Sequence, residues 1–343
     1  MRIALDVMGG DNAPAEMVKG AFEFLQTADE SVSLILVGQE PVLMAEVAIY
    51  PFDESRVRLL AAEDVVGMDE KPAKILKTKP DSSIVRAVQL VRDHEADGVV
   101  SAGNTGALLT SALLLLERIP GVRRPAIATF IPTAKGGFLL CDAGANVDVR
   151  ASDLVQFAIM ARAYAVHEMH IKQPRIGLLN IGAEPGKGNE LTIRAYAQMS
   201  EQVDGFIGNV ESRDLFADAA DVVVCDGFVG NVLLKLSEGI IINLTQWVKY
   251  ELMQHPISLV SLPLLRPALN KLRQALDWEE HGGSPLLGVN GVVIVAHGSS
   301  SAKAIKNALH AAQDSVQNNL IVAIRDGIAE HMEITEERHV VTT

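Results

Sequence analysis

The side chains of this sequence best equipped to bind or transform a substrate gather in six short glycine-bearing stretches. They are LDVMGGDN (5–12), VSAGNTGA (100–107), LCDAGAN (140–146), LNIGAEPGKGN (179–189), VCDGFVGN (224–231) and VAHGSSS (295–301), and each closes an apolar run. Glycine lets backbone N–H groups approach a ligand, and a helix that follows adds its positive N-terminus. The pattern predicts an anion site where the six loops converge on one edge of a parallel sheet. Gly9 and Gly10, with Asn104 and Thr105, are the expected phosphate seat along the backbone of 8–11 and 103–106. The two glycines also suit a plain tight turn. Lys187, flanked by glycines, can meet phosphate as a point charge or stay a solvated loop lysine. Asn146 and Asn231 lie four or five residues beyond Asp142 and Asp226, and they can donate to a carbonyl or phosphate oxygen or occupy left-handed turns. Asp6, Asp142 and Asp226, at the strand ends, complete the candidate binding set. His297 is the histidine best placed for acid or base work, with a capping or structural role equally open.

Several familiar chemistries lack support. There is no GxxxxGK[ST], no GxGxxG after the first strand, no HExxH, no CxxC pair and no GxSxG. Neither a nicotinamide cofactor nor a metal is expected, and a serine nucleophile is disfavoured. The balance of 30 basic against 43 acidic residues gives a formal charge of −13, which argues against nonspecific nucleic-acid binding. Cys141 and Cys225 are far apart and each ends an apolar run, so buried reduced thiols are expected. The N-terminal residues do not read as a signal peptide, and no stretch approaches ~20 consecutive apolar residues. A cytoplasmic protein that touches a membrane peripherally remains compatible with this.

The elements that must position these loops are legible. Hydrophobic residues make up 48% of the chain and aromatics only 4%, a mix suited to aliphatic strands covered by helices. Strands are expected at 2–7, 33–38, 56–61, 98–102, 126–131, 137–142, 175–180, 205–209, 221–226 and 292–296. Helices such as 14–26, 81–94, 105–117, 153–169 and 190–202 lie between them. That alternation implies βαβ units and a three-layer α/β/α fold with a largely parallel sheet, formed as one domain over 1–343. Residues 238–278 stand apart as an expected amphipathic helical pair broken by Pro256, Pro263 and Pro267. Its stripes include Ile240, Leu244, Trp247 and Val248, then Leu265, Ala268, Leu269, Leu272 and Leu276. Membrane contact, a dimer interface and contact with a carrier protein all fit it.

The motifs also carry a resemblance. DVMGGDNAP (6–14), VSAGNTGAL (100–108), RPA (124–126), DAGANVD (142–148), LVQFAIM (154–160), RIGLLNIG (175–182), KGNE (187–190), DGFVGNVLLK (226–235) and HGSS (297–300) occur in order. Together they resemble the bacterial phosphate acyltransferases of phospholipid synthesis, over residues 1 to about 325. The resemblance implies transfer of a fatty acyl group from acyl carrier protein to inorganic phosphate, giving an acyl phosphate. A membrane glycerol-3-phosphate acyltransferase would then consume that product. It further implies a fold like that of isocitrate and isopropylmalate dehydrogenases, a homodimer, no metal and peripheral association with an anionic membrane surface. Lys187 and Asn231, with His297, become the expected catalytic set. An oxidoreductase of the isocitrate-dehydrogenase kind and a non-catalytic scaffold for lipid synthesis are the alternatives.

Overall fold

The computed structural model describes residues 1–133, 135–254, 267 and 278–341. Eleven strands among them form one sheet: β1 (Arg2–Asp6), β2 (Ser33–Gly38), β3 (Val57–Ala61), β4 (Gly98–Ser101), β5 (Ala126–Thr133), β6 (Gly136–Cys141), β7 (Ile176–Asn180), β8 (Phe206–Glu211), β9 (Val222–Val224), β10 (Ser284–Leu287) and β11 (Val292–Val295). Their order is β3-β2-β1-β4-β11-β10-β5-β6-β9-β7-β8. The aliphatic runs expected as strands are strands, within one or two residues at most ends. β10 was not expected. Its four residues, SPLL, follow two glycines, contain Pro285 and show no alternation.

That short strand changes the geometry of the whole sheet. β3, β2, β1, β4 and β11 are mutually parallel, as are β6, β9, β7 and β8. Between these halves, β11–β10, β10–β5 and β5–β6 are all antiparallel. Three reversals set the two parallel halves running in opposite directions. The six glycine loops therefore do not share one edge, which corrects the sequence expectation. Those after β1, β4 and β11 lie at one end of the sheet, and those after β6, β7 and β9 at the other.

Helices cover both faces, giving the three expected layers. Over the first half, α1 (Ala15–Leu25) and a late helix at Ala302–Gln317 pack on Ile3, Leu5, Leu34, Leu36 and Ile294. Over the second half, Ala151–His167, Glu190–Gln202 and the C-terminal helix Leu320–Val341 cover Leu139, Cys141, Leu178 and Val224. The opposite face of both halves carries one continuous apolar cluster, including Val37, Val99, Ile127, Leu140, Val223 and Val293. On that face lie α3 (Ile75–Thr78), α4 (Ser83–Arg92) and α5 (Thr105–Leu115), α4 and α5 supplying Val88 and Leu108 to the cluster, while α2 (Glu40–Val47) lies with α1 on the first face through Leu43. The three covering helices of the second half are α6, α7 and α10, and Ala302–Gln317 is α9. Both cysteine thiols are buried and free. Burial pushes each well above the ordinary thiol range, with the Asp142 carboxylate adding to the rise.

Helix α8 (Gly227–Gln254) is the second departure. The sequence predicts a helical pair from 238 and a loop at DGFVGN. Instead only Asp226 precedes the helix, which runs unbroken for 28 residues. No proline interrupts this stretch, and its glycines are tolerated or required. A Cβ on Gly230 would sit 1.9 Å from the carbonyl oxygen of Asp142, so only glycine permits the helix to lie this close to the β6 loop. By length and composition α8 could cross a membrane, although no run of consecutive apolar residues suggests it. Ile240, Leu244 and Trp247 are exposed along it. The proposed second helix, from Leu265 to Leu276, lies outside the described residues.

Candidate active site

Two of the buried aspartates define how the loops are held. Asp6, at the end of β1, is buried and accepts hydrogen bonds from Ser101 Oγ at 2.7 Å and Met8 N at 3.2 Å. Burial raises its carboxyl above the usual range, opposed by hydrogen bonds from Ser83, Ser101, Met8 and Gly9. A Cβ on Gly9 would lie 2.6 Å from both Asp6 Oδ2 and Gly103 N, so the loops after β1 and β4 touch backbone to backbone there. Asp142 does the same work in the other half. Its oxygens accept from the N–H groups of Ile127, Gly144, Ala145 and Asn146 and from Asn146 Nδ2, at 2.7–3.1 Å. Burial raises this carboxyl too, against those same hydrogen bonds. Neither aspartate lines either of the two cavities described below. Expected as phosphate or substrate ligands, both instead tie down the loops, which suits a carboxylate poorly matched to an anion.

Several other expected ligands are likewise turned inward. Asn104 caps α5 by accepting from Ala107 N at 3.0 Å, while its amide donates to Met68 O at 2.8 Å and to Glu70 O at 3.1 Å. It pins the 67–70 loop onto α5. Asn146 donates to Pro125 O at 2.7 Å and to Asp142 Oδ2 at 2.9 Å. Along the expected seat at 8–11 and 103–106, four N–H groups are engaged within the protein, and the α5 terminus at Thr105 is left open. Met8 and Gly9 donate to Asp6, Asp11 N donates to Gly298 O at 2.7 Å, and Gly103 N to Ser101 Oγ at 3.0 Å. Gly10, with φ of +100°, makes the close approach to Gly298 O possible. These glycines serve the close packing of three loops.

What remains open converges on a cavity of about 490 Å³ over the central antiparallel strands. From the first half come Asp11, Thr105, His297 and Gly298; from the second, Ala143, Gly144 and the α8 residues Asn231, Lys235 and Glu238. The floor is Ile127, Thr129 and Ile131 of β5 with Ser284 and Val295, and the Thr129 and Ser284 hydroxyls bond each other at 2.7 Å. Loops from opposite ends of the sheet thus meet across its middle. Thr105 opens α5, so its first-turn dipole is directed here. Asn231 lies against Gly144, where a Cβ would come within 3.4 Å of it. His297 Nδ1 lies 2.8 Å from Ser299 Oγ and accepts from Ser299 N at 3.2 Å, an arrangement that leaves Nε2 as the donor in the neutral ring.

Lys235 was missed in the sequence. It stands one helical turn beyond Asn231, at i+4, so the two side chains share a face. With DGFVGN read as loop, that spacing had no meaning. Lys187, by contrast, lines neither this cavity nor its neighbour. It is exposed, and its carbonyl accepts from Asn180 Nδ2 at 3.0 Å. β7 borders β9 on the side away from β6. The β7 loop therefore opens beside a second cavity of about 540 Å³, on the opposite side of α8, with Asp226, Asn180, Asn189, Val229 and Val232 in its wall. Asp226 also caps α8 by accepting from Val229 N at 2.9 Å.

The first cavity can hold an anion and polarise a carbonyl, but it is not a simple basic pocket. Lys235 faces two carboxylates, Asp11 and Glu238, in the same walls. Neutral donors, namely the Asn231 amide, the Thr105 hydroxyl and the α5 terminus, must share the work.

Comparison with known proteins fits this picture. A family model described as a fatty acid synthesis protein matches residues 1–323. The phosphate acyltransferase of Heliobacterium modesticaldum is 50% identical over 333 residues, 96% of this chain and 98% of the relative. That of Halothermothrix orenii is 46% identical over 330 residues, with the same shares covered. The chain belongs to the phosphate acyltransferase family. It is accordingly an acyltransferase, an enzyme. Among solved structures, the fold is similar to EutD phosphotransacetylase from Staphylococcus aureus, with a TM-score of 0.60 at 15% identity, covering 92% of this chain and 94% of that one. It is also similar to a branched-chain phosphotransacylase from Enterococcus faecalis, with a TM-score of 0.57 at 18% identity, covering 92% and 99%.

Proposed function

We propose that this enzyme moves a fatty acyl group from the thioester of acyl carrier protein to inorganic phosphate, releasing an acyl phosphate for phospholipid synthesis. The observation that carries the reading is the meeting of Thr105, His297, Asn231 and Lys235 over an apolar floor, in a chain of this family. Phosphate is already an anionic nucleophile at neutral pH, so no serine–histidine relay is needed. One phosphate oxygen attacks the thioester carbonyl carbon. The carbon–oxygen bond forms, the carbonyl electron pair moves onto oxygen, and its return expels the thiolate with the carbon–sulfur pair. Lys235 and the α5 terminus hold phosphate, and the Asn231 amide donates to the developing oxyanion. His297 Nε2–H is placed to donate a hydrogen bond to the departing thiolate, which leaves with the carbon–sulfur pair and takes its proton from solvent. Such positioning, which replaces a bimolecular encounter and presets the donors, accounts for large rate factors without a cofactor.

The wider reading includes one α/β/α domain over 1–343, of the isocitrate-dehydrogenase-like kind. Carrier protein, being acidic, must dock on a local basic surface of this −13 chain. Lys71, Lys74 and Lys77 are exposed beside the 67–70 loop at the cavity mouth. Lys79, two residues beyond Lys77, is engaged with Glu70 at 2.5 Å and Val65 O at 2.7 Å. Arg266, Lys271 and Arg273 lie outside the described residues. The exposed apolar face of α8 serves a homodimer or an anionic membrane surface, where the amphiphilic product would pass to a membrane acyltransferase.

The decisive test follows acyl carrier protein thioester with phosphate present and absent. Phosphate-dependent loss, with acyl phosphate identified by mass, is expected. Phosphate-independent loss, or none, would remove the reading.

A further inference from the structure

The first cavity changes character along its length. The start of β5 is tied to the Asp142 loop, since Ile127 N donates to Asp142 Oδ1 and Ala143 N to Ile127 O. That loop touches Asn231, so the polar end of α8 lies there. Farther along, β5 contributes Phe130, Ile131 and Pro132, and α8 contributes Ile241 and Ile242. From Asn231 to Ile242 the helix advances about 16 Å at ~1.5 Å per residue. The β5 and α8 residues at this far end are apolar, while Glu238, one turn before Ile242, and His297, level with Ile131 in strand register, border the same stretch. At about 490 Å³ the cavity falls within the roughly 300–1,000 Å³ of small-molecule sites. Beyond Ile242 the apolar character of α8 continues outward through Leu244 and Trp247.

We infer that the acyl chain lies in this far end, between β5 and α8, with its carbonyl toward Asn231 and its methyl terminus past Ile241. This inference rests on the acyl-transfer reading and adds which residues measure the chain. The second cavity, across α8, is left without a chain.

The test compares decanoyl, lauroyl, myristoyl and palmitoyl thioesters of acyl carrier protein. Until the cavity is filled, each methylene lost should cost about fourfold in kcat/KM, the factor equivalent to ~0.8 kcal/mol per buried methylene. Ile241→Trp, at a half-buried helix position that tolerates a larger ring, should move the optimum to shorter chains and leave the phosphate KM unchanged. Phe130→Ala should extend it. Val232→Trp, in the wall of the second cavity, should keep the wild-type profile. An unchanged profile in Ile241→Trp, or a shifted one in Val232→Trp, overturns the assignment. Wild-type enzyme that consumes no thioester with phosphate would instead defeat the acyl-transfer reading itself, so the two failures are distinct.

Discussion

Asn104, Asn146 and Asn231 occur in similar glycine-bearing motifs, yet only Asn231 faces the cavity with its amide unspent. Asn104 spends its donors on backbone carbonyls, and Asn146 on the Pro125 carbonyl and the Asp142 carboxylate. Sequence pattern finds the loops but not the direction of a side chain within them. Lys235 shows the reverse failing, since its role depends on helical spacing in a stretch read as loop. It supplies the cation of the cavity wall, so its removal should act chiefly on phosphate. Lys235→Ala is expected to raise the phosphate KM by tenfold or more, with a smaller effect on the carrier-protein KM and weaker salt dependence. Steady-state kinetics at two ionic strengths would check this. An unchanged phosphate KM would take Lys235 out of the site.

At the scale of elements, the aliphatic strands were readable because runs such as SLILVG and RIGLLN are dense in β-branched and aliphatic residues. β10 was not, because four residues beginning Ser-Pro carry neither length nor period. Yet this strand adds the reversals that place α5 and α8 across one cavity. The unbroken α8 has a consequence of its own. Its distal face, with Leu244 at 51% and Trp247 at 66% exposure, is too apolar to remain in water without a partner surface. Leu244→Glu with Trp247→Glu should abolish binding to anionic vesicles if that face meets a membrane, leaving the oligomer intact by sedimentation. If the face is a dimer contact, the pair should give monomers or aggregates instead. Retention of both vesicle binding and oligomer would show that the face serves neither.

The whole molecule carries a titration that its sequence did not reveal. Glu168, at the end of α6, is pushed up to about 7 from 4.5, chiefly by burial. The Asp314 carboxylate of α9 adds to the rise, and a hydrogen bond from Asn318 Nδ2 at 3.2 Å opposes it. The folded state therefore holds a proton that the unfolded chain releases between about pH 4.5 and 7. Its contribution to stability is full below about 4.5 and is lost as pH rises through about 7. Tm should fall across that window, and Glu168→Gln should flatten the fall. A variant with the wild-type slope would place the titration elsewhere.

On the proposed reading, acyl transfer occurs where the two oppositely directed half-sheets meet. Single-turnover kinetics of Asn231→Ala, with acyl carrier protein thioester and saturating phosphate, test that claim most directly. Loss of one oxyanion donor typically costs ~10²–10³ in rate, so the variant should bind both substrates, keep the wild-type Tm and turn over more slowly by that factor. A folded Asn231→Ala enzyme with a near-wild-type single-turnover rate would contradict the account.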